Sequence, residues 1–451
     1  MSTGQSTFCV CQQNYLINTH TLYKQLSSHV SEHNMLSPYQ NAYRKNYSTQ
    51  TALVKVLDDI RRSMDDREIT VMILVDFTRA FDTLNHRLLL EILHSLGFSS
   101  NLMRVFKSYL SNRRQRIVTK SGLTSQWKQV TTGTPQGSTL SGLIFAFFID
   151  RITSVFKKLK CMLYADDLQI YVSCKADDIE DTTSTINQEL RALDEWCHKH
   201  ALIVNPKKCK HIVFGHPRIV SNVYNTDKRE ILLSNQILER ADVIKYLGIL
   251  IDSNLNWNAQ VKEVSRKIFV GLSQMKRMRY TPSVAVKKMM VNSLLMPKID
   301  YASAALTDMG IVHTNTLQIA QNAAVRYIYN LPFHERMTKW YPKLGWLRVQ
   351  ERRQLKVYHL ALNILKNKTP PYLYSMFIRR AEVHTRNTRE AKYAYEIPTF
   401  KTEKCGNSFC VEATRILNSQ CSGIGDFDAK IVRDLVKKYK DTLMKSYTAE
   451  H

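Results

Sequence analysis

Negative charge is scarce in this chain. Its 451 residues carry 39 Asp and Glu against 64 Lys and Arg, a formal net charge of +25. The excess is uneven: residues 252–451 hold 33 basic and 16 acidic side chains. A balance of this kind points to a polyanionic partner, nucleic acid ahead of a membrane surface. Long apolar runs are missing too. The longest wholly apolar stretch is Leu143 to Ile149, far short of the ~20 residues a membrane helix needs. The N-terminus has neither the charged nor the apolar region of a signal peptide, so the expectation is a soluble intracellular chain with no membrane partner. Nine cysteines, an odd number without framework spacing, make reduced thiols the default. Cys9 and Cys11 have no second pair at zinc spacing. Cys197 and His200 fit one turn of helix, but Cys209 and His211 lie two apart on a strand, so these four read as packing residues. No internal repeat is visible, and the length suits two or more globular domains.

What is present is organised around Tyr164-Ala165-Asp166-Asp167. Short apolar flanks, Lys160 to Leu163 and Leu168 to Val172, make this a β-hairpin with two carboxylates at its tip. Adjacent carboxylates repel, by roughly 4 kcal/mol at ~4 Å and an effective dielectric of about 20. Either solvent screens such a pair or a cation sits between. Ile69 to Phe77 is a near-continuous apolar run, which suggests a strand covered on both faces. It ends in Asp76, whose ionised carboxylate needs a metal, a cation or solvent there. If the two strands are neighbours, three carboxylates converge, a hard-oxygen ligand set that suits Mg²⁺.

Other stretches supply context. Ser48 reads as the N-cap of a helix through Leu53, Val56 and Ile60, with Arg44 and Lys45 just before it, facing either phosphates or solvent. Asp82 to Leu96 reads as a helix stopped by Gly97, Asn101 to Leu110 as another, and Ile117 to Thr131 as two short strands. Gly133 to Ser138 forms a turn before an apolar helix from Leu140 to Phe156, where free N–H groups can meet a phosphate. Ile179 to His198 is a helix, His211 to Phe214 a strand, Ile231 to Leu238 a hairpin and Val243 to Ile251 a single strand. Beyond Trp257 the pattern turns helical, with an apolar stripe of Val261, Val264, Ile268, Leu272 and Met275. Lys262, Arg266, Lys276, Arg277 and Arg279 crowd the same region, either tracking a phosphate backbone or forming a solvated face. Further helices are expected at Ser283 to Leu295, Asn315 to Tyr329 and Val349 to Lys366. Residues 376–451 give few periodic signals.

Five segments in order resemble the motifs of a reverse transcriptase from a non-LTR retrotransposon. Val75-Asp76-Phe77-Thr78-Arg79-Ala80-Phe81-Asp82 resembles polymerase motif A, Gly133 to Ser141 motif B and the Tyr164 tetrapeptide motif C. Asn205-Pro206-Lys207-Lys208 is similar to motif D, and Tyr246-Leu247-Gly248 to the primer-grip motif E. Gln40 to Thr49 resembles the family's fingers segment, and Leu317 to Arg353 and Phe409 to Asn418 its thumb and post-thumb region. The resemblance implies an α+β right-hand polymerase. Residues 1–68 would be partial fingers, 69–252 a palm with an antiparallel sheet plus fingers, 253–375 a helical thumb and post-thumb region, and 376–451 a C-terminal helical region of unassigned role.

It also implies an RNA-directed DNA polymerase that extends a DNA primer on an RNA template with deoxynucleoside triphosphates. Asp76, Asp166 and Asp167 would be catalytic and, with the carbonyl of Phe77, would hold two Mg²⁺ ions, Mn²⁺ being the alternative. Phe81, Gln136, Gly137 and Lys208 would contact the nucleotide, and Tyr246, Leu247 and Gly248 the primer. Arg44, Lys45, Lys262, Arg266, Lys276, Arg277 and Arg279 would contact nucleic acid. The expected site of action is the nucleus. Three departures stand out. Residues 1–30 do not match the upstream Arg-Pro-Ile fingers segment. Ala42 and Asn46 replace usual glycines, and Gly142 a usual proline. These lead to the expectation of an N-terminally truncated copy, with a non-catalytic nucleic-acid-binding remnant as the alternative reading.

Overall fold

The computed structural model describes residues 7–12, 19–119, 121–135, 137–226, 230–278, 282–383, 393–421, 423–424, 426–445 and 447. The chain opens with strand β1 (Thr7–Gln12) and helices α1 (Thr19–Glu32) and α2 (Thr49–Asp65). Ser48 caps α2 through a reciprocal box with Thr51, so two otherwise orphaned N–H groups are satisfied. Strand β2 (Ile69–Val75) follows, then α3 (Ala80–Thr83), α4 (His86–Ser95) and α5 (Ser100–Leu110). The single helix expected from Asp82 to Leu96 is thus two. The Asn85 side chain caps the second by accepting from the N–H groups of Arg87 and Leu88, and the first stops at Leu84.

Strands β3 (Arg113–Thr119) and β4 (Lys128–Val130) form with β1 a three-stranded sheet in the order β1-β3-β4. The pairing of β1 with β3, from Thr7 opposite Thr119 to Gln12 opposite Arg114, gives the N-terminal segment a place its polar sequence did not announce. Helix α6 (Thr139–Ile149) continues as a 3-10 turn over Asp150–Val155. Strands β5 (Lys160–Tyr164) and β6 (Asp167–Cys174) make the expected hairpin, and α7 (Ile179–Lys199), β7 (Lys210–Phe214) and α8 (Pro217–Thr226) follow.

The main sheet is five-stranded. After a small hairpin of β8 (Leu232–Leu233) and β9 (Gln236–Ile237) comes β10 (Glu239–Arg240), and the order is β10-β7-β2-β6-β5. All its pairs are antiparallel except β10 with β7, so the sheet is mixed rather than antiparallel throughout. The stretch Val243 to Ile251 is also a correction. It turns at Leu247 and Gly248 into a hairpin of β11 (Val243–Tyr246) and β12 (Ile249–Asp252). The turn is hidden in sequence because the apolar run passes straight through it.

Alternation along β2 divides its side chains between two cores. Met72 joins Ile212 and Phe214 of β7 and Tyr171 of β6 under α2. Val71, Ile73 and Val75 join Leu168 and Ile170 on the other face, against α4, α5, α6 and α7. The α2 core runs on into the helices beyond residue 252. These are α9 (Asn258–Lys276), α10 (Val284–Leu294), α11 (Met296–Asp300), α12 (Ile311–Tyr329), α13 (Trp340–Leu344) and α14 (Val349–Asn367). The predicted stripe on α9 is buried along its whole length. Helices Phe409–Gln420 and Ala429–Lys445 pack on α14. No helix among the described residues is long and apolar enough to cross a membrane.

One buried acid couples the N-terminal segment to α6. Both carboxylate oxygens of Asp150 accept the Ser37 N–H at 3.0 Å. Burial pushes this carboxyl up to about 6, against the opposing pull of that hydrogen bond and of Arg44 and Arg151. The folded chain therefore holds this proton more tightly than the unfolded chain does. Its stabilising contribution is complete below pH ~4 and is lost as pH rises through about 6. Urea unfolding between pH 4.5 and 7 should show a downward slope of stability that is reduced in Asp150→Asn, and an unchanged slope refutes the assignment.

Candidate active site

The register of β2 on β6 decides where the acidic groups fall. Val75 pairs with Leu168, so Asp76 emerges beside Asp167, the first residue of β6. Across the hairpin, Tyr164 pairs with Asp167, which leaves Ala165 and Asp166 as a two-residue tip. Ala165 adopts φ +57° and is buried. That left-handed backbone costs an L-residue roughly 1–2 kcal/mol, a strain that fixes the direction of the tip.

The carboxylates at this tip oppose one another. The Asp166 carboxyl is raised by burial first, then by the charge of Asp76, with its own backbone N–H opposing. Asp167 is raised by burial and by the charges of both Asp166 and Asp76. One oxygen of Asp76, Oδ2, is buried without a hydrogen-bond partner. Lys208 Nζ lies 3.7 Å from it, on a side chain that is 68% exposed. The β2–β6 register brings the three carboxylates to one end of the sheet. They do not form a closed cage, for among the described residues no three His, Cys, Asp or Glu side chains are already grouped as a metal site.

The backbone beneath Asp76 is pinned by the segment carrying Lys208. Asn205 N–H donates to the Asp76 carbonyl at 2.8 Å, Thr78 N–H to the Ile203 carbonyl at 2.7 Å, and Asp76 N–H to Cys209 Sγ at 3.2 Å. The Phe77 carbonyl takes no part in these bonds. Cys209 and Cys197 are buried core thiols, and His200 stacks on Trp196, which gives the candidate zinc quartet separate packing duties. A cleft of about 410 Å³ opens on Asp76, Asp167, Gln169, Lys208 and the β11–β12 turn from Lys245 to Gly248. Tyr246 is wholly buried and Leu247 nearly so. The Leu247 carbonyl accepts from the Tyr301 hydroxyl at 2.6 Å. The turn is thus anchored in the core by Tyr246 and Leu247, while Lys245 and Gly248 are exposed.

The loop before α6 is tied to the Phe81 turn. Gly133 has φ +73°, and a Cβ there would stand 2.7 Å from the Asp82 carbonyl oxygen, so only glycine allows this approach. Thr134 N–H donates to the Phe81 carbonyl at 3.1 Å, and Arg113 donates to the Gly133 carbonyl at 2.7 Å. Phe81 stacks on Phe145 of α6 with ring centroids 4.0 Å apart. Gln136 lies outside the described residues, as does Arg279; Gly137 stands at φ +83°.

The basic residues divide. Arg44 is half-buried, its Nη1 donating to the carbonyls of Ser37 at 2.6 Å and Gln40 at 3.1 Å and its guanidinium lying over the Tyr47 ring. Lys45, Lys262, Lys276 and Arg277 are exposed. Arg266 is exposed but bonds Glu263 at 2.8 and 2.9 Å. One residue was missed. Tyr43, at φ +58°, lies against Gly142 of α6 and contributes electrostatically with Tyr164 and Asp166, a neighbourhood that burial dominates in raising its hydroxyl. Its only sequence signal was the unusual glycine at 142.

With this geometry in place, comparison with known proteins is decisive. A family model described as reverse transcriptase (RNA-dependent DNA polymerase) matches residues 10–251. The chain belongs to the reverse transcriptase family. Among relatives, the probable RNA-directed DNA polymerase from transposon BS of Drosophila melanogaster is 24% identical over 337 residues, 72% of this chain and 36% of that protein. The RNA-directed DNA polymerase from mobile element jockey of the same organism is 25% identical over 378 residues, covering 80% and 40% respectively. This reverse transcriptase-family chain therefore spans about two fifths of the length of those relatives. Among solved structures, apo telomerase from Candida tropicalis is similar at a TM-score of 0.41 and 11% identity, over 79% of this chain and 61% of that one.

The Tyr43–Gly142 contact gives a sign-reversing test. A Cβ on Gly142 would meet the Tyr43 ring at 2.4 Å, so Gly142→Ala should cost about 1–3 kcal/mol in urea unfolding. In a Tyr43→Ala background the same change should be neutral or stabilising by up to ~1 kcal/mol, as alanine favours a helix. Equal effects in both backgrounds would show that the ring does not rest on this glycine.

Proposed function

We propose that this chain is the RNA-directed DNA polymerase unit of a non-LTR retrotransposon, extending a DNA primer on an RNA template by nucleotidyl transfer. One observation carries the reading: the β2–β6 register brings Asp76, Asp166 and Asp167 to the end of one sheet, where they repel one another and Asp76 Oδ2 has no hydrogen-bond partner. An anionic oxygen without a donor, on a half-exposed side chain beside a cleft, suits a hard cation. The residues fit Mg²⁺, or Mn²⁺ in its place, held by Asp76, Asp166, Asp167 and the Phe77 carbonyl. Bound divalent ions at such a site activate an attacking oxygen and stabilise a leaving one.

The chain's own groups do the remaining work in this reading. Phe81, fixed by Phe145, forms the floor under the incoming sugar and excludes a 2′-hydroxyl. Gln136 and Gly137 border the incoming nucleotide. Lys208, mobile enough to leave Asp76, meets the pyrophosphate leaving group as a cation. The turn of Tyr246, Leu247 and Gly248 lines the cleft beside Asp167 and holds the primer end. The primer 3′-hydroxyl then attacks the α-phosphate in line. Lys45, Lys262, Lys276 and Arg277 contact template and primer phosphates. Residues 69–252 act as palm and part of the fingers, and 253–375 as thumb and post-thumb. The nucleus is the proposed site of action.

Primer extension on an RNA template with deoxynucleoside triphosphates and Mg²⁺ tests the reading. Wild type should incorporate, and Asp166→Asn should lose about 10²–10³-fold or more. Mg²⁺ should also raise the melting temperature of wild type more than that of Asp166→Asn. No incorporation by wild type, or equal rates for the two, overturns the proposal.

A further inference from the structure

A second polar cavity lies away from the carboxylate cleft, between α12, α14 and the segment before helix Phe409–Gln420. Its volume is about 270 Å³, at the small end for ligand sites. At its wall stands Arg353, 8% exposed. A guanidinium buried this far usually pairs with a carboxylate. Here its nitrogens reach only Thr314 Oγ1, at 3.5 Å, and Met309 Sδ, at 3.1 Å. Burial brings its pKa down to about 10, with the charge of Asp308 opposing. Asp308 gives its Oδ1 to Arg61 at 2.6 Å and to the Trp257 indole N–H at 2.9 Å, while its Oδ2 has no hydrogen-bond partner. Among the described residues no carboxylate lies within ion-pair distance of Arg353.

The surroundings add donors. Thr307 Oγ1 is buried without a hydrogen-bond partner and belongs to the same wall. Gln350, Gln354 and Asn407 line the cavity as neutral amides. The N-terminus of the 19-residue helix α12 opens on it through Ile311 and Thr314. That helix is preceded by Gly310, which has no side chain to cap it, and its first turn carries no acidic residue. Backbone N–H groups and the positive end of the helix dipole are therefore available. One carboxylate, Glu412, also lines the cavity and lies 3.8 Å from Arg415.

We propose that this cavity binds a phosphate group, with Arg353 as its cation and the first turn of α12 as its second set of donors. The physical basis is an interior guanidinium that touches only a hydroxyl and a thioether, with Glu412 elsewhere on the wall and Asp308 beyond ion-pair distance. An isolated buried charge costs several kcal/mol, and an oxyanion seated here removes that cost while using the orphaned hydroxyl and the uncapped helix end. The phosphate can come free from solution or from the 5′ end of a nucleic acid. The site is independent of the carboxylate cleft and of the function proposed for it.

The test compares the full chain with Arg353→Met, which keeps the volume and removes the charge. In phosphate-free chloride buffer the variant should melt at or above wild type, because it relieves an unpaired buried charge. In phosphate at the same pH and ionic strength, wild type should rise by about 2 °C or more, and the variant should not share that rise, so that the order of the two reverses. Short DNA oligonucleotides with a 5′-phosphate or a 5′-hydroxyl, compared by fluorescence anisotropy, separate the sources. A preference for the phosphorylated strand that Arg353→Met loses assigns the site to nucleic-acid ends, while equal binding alongside the inorganic phosphate shift assigns it to free phosphate. A variant that melts lower, or fails to fold, in both buffers shows a guanidinium already satisfied by the protein and overturns the proposal. Equal phosphate shifts in both proteins, or none in wild type, overturn it as well.

Discussion

The arrangement of the site depends on one pairing, Val75 against Leu168 between two central strands. Side chains alternate along a strand, so a slip of one residue exchanges the faces of the whole strand. Here that slip would move Val71, Ile73 and Val75 out of one core and Met72 out of the other. Both faces are buried, so the register is specified twice over. Asp76 and Asp167 are held opposite each other by the cost of exposing those apolar side chains, and not by any attraction between themselves. Hydrophobic burial therefore sets the position of groups whose electrostatics oppose it.

Helix α2 extends that constraint to the helical half. Its buried face covers the Met72 side of the sheet, and its polar residues reach the opposite way. Arg61, fully buried, joins Asp58 at 2.8 Å and Asp308 at 2.6 Å and donates to the Ala305 carbonyl at 2.8 Å. Asp58 also accepts the N–H groups of Phe409 and Cys410, and Asp65 those of Lys401 and Thr402. Removing one partner from a buried network of this kind costs about 3–5 kcal/mol. One helix thus fixes the sheet, the loop before α12 and the C-terminal helices in a single frame.

Much of this was legible in the sequence, for local reasons. The apolar run of β2, the acidic hairpin tip, the Ser48 cap and the stripe on α9 are short-range patterns, and each appears where the pattern put it. The features that were not legible depend on distant partners. Leu247 and Gly248 turn inside an apolar run because Tyr301 holds the turn from fifty-four residues away. Arg44 reads as a surface cation, but nearby carbonyls and Tyr47 take it up. The helix Ala429–Lys445 is amphipathic, a pattern the reading of residues 376–451 passed over; Phe409, Leu417 and Tyr439 are buried against α14 and its neighbours. Tyr43 could have been suspected only from the glycine it rests on.

Two acidic clusters in the same molecule make the final distinction. Asp58 and Asp308 are buried deeply, and the protein closes around them with an arginine, an indole and backbone N–H donors. Their charges meet a buried internal cation, although Asp308 Oδ2 and Arg61 Nε keep no hydrogen-bond partner. Among the described residues no arginine pairs with Asp76, Asp166 or Asp167. Lys208 stands 3.7 Å from Asp76 on a side chain more than half in solvent, and Lys245 lines the same cleft. A chain that pairs carboxylates with a buried arginine in one place leaves three of them opposed at a sheet end in another, Asp76 and Asp167 on the wall of a cleft. Lysine at that distance offsets part of the repulsion without filling the space between the acids, and a long flexible stem lets it withdraw. The opposition is tolerable because the tip is near water, and it is useful because a divalent cation and a polyphosphate can replace water there. The difference between the clusters lies in which one the fold has left open to such partners.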